Sequence, residues 1–169
     1  GDSGAAMKVY MLPAPLQIAA AIRTYDLGYS EKMLTPVRYP VIRYSTGFLQ
    51  AVNLGICGVD MGYCTIYDQK QTAIYYLSKV QKLSEELGIT SCFDLNTFNR
   101  FKNNTDNPDS LYVIILESFS QLHEYLHKND RASTGLLILT GSFIEGMHIA
   151  SGLHQMHRDS RLIRLMSMQ

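Results

Sequence analysis

Two apolar stretches decide the fold: Gly47-Phe-Leu-Gln-Ala-Val-Asn-Leu-Gly-Ile-Cys-Gly-Val-Asp-Met-Gly-Tyr63 and Gly135-Leu-Leu-Ile-Leu-Thr-Gly-Ser-Phe-Ile-Glu-Gly-Met-His-Ile-Ala-Ser-Gly152. Each is studded with glycine and carries one acid near its middle, Asp60 or Glu145. Glycine weakens a helix and a buried acid is costly, so packing or use must compensate both. At 100° per residue the first stretch divides into three stripes. Ala51, Gly55, Gly58 and Gly62 form a small-residue seam along which another helix backbone can approach. Val52, Ile56, Val59, Tyr63 and Ile66 form an apolar stripe, and Asn53, Cys57, Asp60, Cys64, Tyr67 and Gln71 a mostly polar one. A close-packing seam beside an apolar face marks a central helix, so Asp60 is expected to be buried and paired.

Outward from these stretches the pattern is helical almost throughout, with no run alternating at period two. A helix is expected from Pro13 to Tyr25, followed by an extended connector over 34–45, where Pro36 and Pro40 stand among β-branched residues. Ser45 or Thr46 caps the first glycine-rich helix. Thr65-Ile-Tyr-Asp68 has the form of a capping box for the next, which Gly88 stops; its stripe is Ile74, Leu77, Val80, Leu83 and Leu87. Shorter helices follow from Asp94 to Lys102 and from Pro108 to Lys128. Then come the second glycine-rich helix and a separate amphipathic piece from Ser160 to Met168. The expectation is all-α, with six or seven helices in antiparallel hairpins, forming a bundle or a short α-solenoid-like array. Residues 1–9 read as a flexible leader or processing scar and 10–169 as one domain.

Fifteen basic residues balance fifteen acidic ones, giving a formal net charge of zero and no field to attract nucleic acid. No transmembrane segment is expected: Leu136 to Ala150 is shorter than the roughly 20 residues a span needs and contains Glu145 and His148. Cys57 and Cys64 stand seven positions apart, about 10 Å along a helix, beyond disulfide reach. Three buried free thiols are expected, with a bond from Cys92 to either left open.

The candidate ligand site comprises Asp60, Tyr63, Tyr67, Gln69 and Gln71, with Glu145 and His148 from the second stretch. Against it stands a purely structural hydrogen-bond network joining two helices. Glu145-x-x-His148 is half of a di-iron motif, but the second copy and the two further glutamates are missing. His123-Glu-Tyr-Leu-His127 satisfies His-Glu-x-x-His, in which two histidines on one helix face bind zinc and Glu124 serves as base. Glu145, eighteen positions after His127, stands near where a gluzincin peptidase carries its third ligand. Lys128 and Asn129 after the second histidine depart from that pattern, and no strand precedes it.

The strings Ala51 to Tyr63, Tyr67-Asp-Gln69 and Phe143-Ile-Glu-Gly-Met-His-Ile-Ala150 resemble an uncharacterised family of small, all-helical exported proteins, many of them predicted lipoproteins, from gut-type Gram-negative bacteria. The resemblance implies periplasmic or outer-membrane-tethered residence, with a lipid anchor upstream, and no particular activity. The leading expectation is a non-catalytic binding or scaffold domain for a protein, peptide or small ligand, with no cofactor. The alternative is a zinc hydrolase with His123, His127 and Glu145 as ligands and Glu124 as base.

Overall fold

The computed structural model describes the backbone of residues 28–36 and 46–167, with side chains as far as 158. A 3-10 turn (Glu31–Met33) precedes five α-helices: α1 (Gly47–Ile66), α2 (Lys70–Glu86), α3 (Leu95–Asn103), α4 (Pro108–Lys128) and α5 (Ala132–Ser167). The all-α class holds, and among the described residues the helices number five rather than six or seven. The helix expected from Pro13 to Tyr25, the leader 1–9 and positions 37–45 of the connector lie outside the described residues.

Local chemistry sets the boundaries. Thr46 Oγ1 accepts from Leu49 N at 3.3 Å, Asp94 accepts from Thr97 N at 2.8 Å, and Asn107 accepts from Ser110 N at 3.1 Å ahead of Pro108. These side chains satisfy amides that a helix start leaves unpaired. Three helices end on a left-handed residue: Asp68 (φ 56°), Gly88 (φ 68°) and Asp130 (φ 54°). In each case the next amide reaches back five residues to a carbonyl: Gln69 to Cys64, Ile89 to Ser84 and Arg131 to Leu126, at 2.7–2.8 Å. The capping box expected at Thr65 does not form. Thr65 lies inside α1, where its hydroxyl donates to Met61 O at 2.8 Å, so α1 continues until Asp68 closes it.

The second correction concerns the C-terminal third. The piece expected from Ser160 to Met168 is, as far as Ser167, the continuation of the second glycine-rich helix, and α5 runs unbroken for 36 residues. From Ala132 to Arg158 its 27 residues are long and apolar enough, by length and composition, to cross a membrane, with a mean hydropathy of 1.4 over its most apolar 18-residue window. The shorter segment weighed from sequence therefore understated its length. Within the fold one face of α5 is core: Ile138, Ser142, Glu145, Ile149 and Leu153 are buried.

α1 is the central helix, flanked by α5, α2 and α4. A Cβ on Gly55 would lie 2.0 Å from Ile138 O, and one on Gly141 would lie 1.9 Å from Val52 O. The backbones of α1 and α5 therefore touch, and only glycine fits at either position. The small-residue seam serves two partners, because Gly58 faces the Phe119 ring of α4 instead. The stripe that reads as polar in sequence is buried through its middle: Cys57, Asp60 and Cys64 are closed off from solvent as fully as Val59 and Tyr63 of the apolar stripe, whereas Val52, Ile56 and Ile66 are only half-buried. The three cysteines are free and buried.

Candidate functional site

The crossing of α1 over α5 brings the two acids together. Asp60 is fully buried (0% exposed) and Glu145 nearly so (7%), and their carboxyl groups lie within hydrogen-bonding reach. Thr35, just beyond the 3-10 turn, donates its backbone N–H to Asp60 Oδ2 at 3.3 Å. Asp60 Oδ1 and Glu145 Oε1 have no donor. Two ionised carboxylates side by side in a dry interior repel one another with nothing to solvate them. A proton held between them supplies the missing donor and removes the repulsion.

The electrostatics agree with that reading. Burial pushes the Glu145 carboxyl well above the usual carboxylate range, and the Asp60 charge pushes it further. Burial also raises Asp60, against which the hydrogen bonds from Glu145 and Thr35 and the charge of Lys79 pull downward. The pair therefore retains one proton near neutrality and carries about one negative charge between its members.

Lys79 of α2 is the cation facing that charge. Its side chain is 5% exposed, and Nζ has no hydrogen-bond acceptor, lying 5.1 Å from the Tyr75 ring centroid and 5.7 Å from that of Tyr76. The ring faces stabilise the cation where no oxygen does. Tyr76 in turn donates its hydroxyl to Thr35 O, so α2 holds the same backbone unit whose amide reaches Asp60. Cys57, one turn before Asp60, has its thiol pushed up to about 12 by burial and then by the Asp60 charge, so it remains a thiol at neutral pH.

Of the seven ligand-site candidates only Asp60 and Glu145 meet at the crossing of α1 and α5, while Tyr63, Tyr67 and Gln69 gather in a second cluster. Tyr63 turns towards the turn segment: Ser30 N donates to its hydroxyl at 2.8 Å, and its ring stacks on Tyr29 at 5.3 Å. Tyr67 joins that aromatic cluster, 5.0 Å from Tyr63 in an edge-on arrangement. The Gln69 amide donates to Tyr67 O at 3.0 Å, while Gln71 and His148 are exposed. Lys79, Tyr76 and Thr35 complete the polar cluster and escaped sequence reasoning. Lys79 left a signal, because it stands on the same helix face as Tyr76, Val80 and Leu83.

The His-Glu-x-x-His residues lie elsewhere. The His123 and His127 rings are 6.3 Å apart on α4, and Glu124 is tied to Lys128 at 2.6 Å. Glu145 is engaged with Asp60. Among the described residues no three His, Cys, Asp or Glu side chains gather where one metal ion could be held. Comparison with protein-family models, curated proteins and solved structures finds no match for this chain.

Proposed function

We propose that the chain is a non-catalytic binding or scaffold domain of the cell envelope, in which the buried acid pair locks α1 to α5 and the outer face of α5 meets a protein partner. The observation that carries this reading is the composition of that outer face. Between 132 and 157 its exposed positions hold no lysine, arginine, aspartate or glutamate, and they include Leu136, Phe143, Ile144 and Met147. Solvent-facing helices are normally laced with charge, and contiguous exposed apolar surface marks an interaction site. The envelope location rests on the resemblance carried by Ala51 to Tyr63 and Phe143 to Ala150.

The space between the two glycine-rich helices supports a lock better than a ligand pocket, because backbone meets backbone at Gly55 and Gly141. The test uses the burial of the native thiols, which leaves an introduced cysteine as the reactive one. In cells that make the protein, Ile144→Cys should react with a maleimide at least about tenfold more slowly than Glu86→Cys on exposed α2 surface. Equal rates would show the α5 face open to solvent and end the reading.

A further inference from the structure

We propose that residues 28–36 form a proton-linked strap, closed over the Asp60–Glu145 pair while the pair keeps its shared proton and opening as that proton leaves. This inference rests on the acid pair and not on what meets the outer face of α5. The strap touches all three helices around the pair. Met33 fills the notch left by Gly152 on α5, and Leu34 joins the core. Thr35 sits between α1 and α2, donating its N–H to Asp60 Oδ2 while its carbonyl accepts from the Tyr76 hydroxyl. At the other end Ser30 N donates to the Tyr63 hydroxyl at 2.8 Å, and the Tyr29 ring stacks on that of Tyr63. The strap's own regular structure is one 3-10 turn of three residues, closed by Met33 N to Ser30 O at 3.2 Å and Leu34 N to Glu31 O at 3.1 Å. So short a turn has little stability of its own, and the strap can part from the helices while they stay folded.

The acid pair ties the strap to pH. Closed, it leaves Asp60 fully buried, with no donor for Asp60 Oδ1 or Glu145 Oε1, so ionising both groups sets two like charges together away from water. Open, water solvates each carboxyl, both ionise as ordinary acids, and the shared proton passes to the solvent. Burial first, and the Asp60 charge second, raise Glu145 above the usual carboxylate range. A raised native value means that closure is favoured at low pH and lost as pH rises, with opening about tenfold easier per pH unit for one proton released. The neighbouring thiols and phenols do not supply this proton. Cys57 and Cys64 of α1 and the hydroxyls of Tyr29, Tyr63 and Tyr76 are all pushed upward, by burial above all, and stay neutral between about pH 6.5 and 8.5. Lys79 of α2 and Glu31 of the strap add opposite charges nearby, α4 meets α1 here through the Phe119 ring at Gly58, and His148 of α5 lies in solvent.

Amide hydrogen exchange of the full chain tests the strap. After correction for the intrinsic chemical rate, the opening constant at the Ser30 and Thr35 amides should rise at least about tenfold from about pH 6.5 to 8.5. Those amides should also exchange faster than the Gly58 and Val59 amides of α1, which marks opening of the strap rather than of the fold. Glu145→Gln keeps a donor for Asp60 and removes the second titration, so the strap's opening constant should become independent of pH across that range. In the unaltered chain, an opening constant flat or falling with pH would overturn the proposal, whether or not the variant folds. So would strap amides that exchange only at the rate of α1, or a rise that survives Glu145→Gln. The labelling of Ile144→Cys is indifferent to these outcomes, so the binding-face reading stands or falls separately.

Discussion

Replacing Gly55 with alanine tests the crossing on which the acid pair depends. The added Cβ would sit 2.0 Å from Ile138 O and 2.8 Å from Ser142 N, both backbone atoms, whereas real Cβ contacts essentially never fall below 3.0 Å. α1 and α5 must therefore part by at least about 1 Å. Overpacking of this kind costs about 1–3 kcal/mol, and a gap of that size forfeits a quarter to a half of the dispersion well for atoms along the crossing. The same movement lengthens the Asp60–Glu145 hydrogen bond past its useful range, leaving a buried carboxyl unsatisfied at a further cost of about 1–3 kcal/mol. The expected loss is about 4 kcal/mol, or about 10 °C in Tm for a chain of this size. Urea unfolding followed by circular dichroism at 222 nm measures it, with Gly47→Ala as control because nothing lies within 4 Å of its Cβ. Gly55→Ala combined with Gly141→Ala should cost less than the sum of the two, since helices already parted accept the second methyl more cheaply. A Gly55→Ala protein within 1 kcal/mol of the control would refute the backbone contact and the lock built on it.

The acid pair makes stability fall as pH rises. Both carboxyls hold protons more tightly folded than unfolded, so their contribution is fully present below about pH 4 and is lost as pH rises through the native titrations. Glu145→Gln keeps a donor for Asp60 and should flatten that profile in urea titrations from pH 4.5 to 9; an unchanged slope would remove the pair as its source. Lys79→Met removes a charge that lowers Asp60, so the fall between pH 5 and 8 should steepen, read from the same titrations. At the helix ends, Asp130→Gly should stabilise by about 0.5–1 kcal/mol by relieving a left-handed aspartate. Gly88→Ala at φ 68° should cost about 1 kcal/mol; thermal melts distinguish the two signs.

The sequence carried the helices well because periodicity and caps are local. Leu77, Val80, Leu83 and Leu87 are buried as their spacing predicts, and Thr46, Asp94, Asn107 and Gly88 mark boundaries through contacts made within a few residues. Asp60 and Glu145 were legible as buried acids because each is embedded among glycines and apolar residues. Their meeting was not, since it depends on where α1 crosses α5. The same limit applies to Gln71 and His148: each shares a helical stripe with an acid, yet both face solvent. The Thr65 capping box failed because a threonine hydroxyl can bond its own preceding turn, an alternative that spacing alone does not distinguish. The continuity of α5 past Gly152 was hidden for a similar reason. The apolar, glycine-rich pattern gives out there, whereas in the structure the helix runs on and Gly152 admits the Met33 side chain, whose sulfur lies 2.2 Å from where a Cβ would be.

The proton between Asp60 and Glu145 also changes the arithmetic of the whole molecule. The balance of fifteen basic against fifteen acidic residues counts every carboxyl as ionised. A fold that keeps one of them protonated at neutral pH carries one positive charge more than its own unfolded chain. Unfolding near neutrality must then release a proton into the buffer. The heat of unfolding should accordingly vary with the ionisation enthalpy of the buffer chosen, and the native protein should focus at a higher pH than the denatured one.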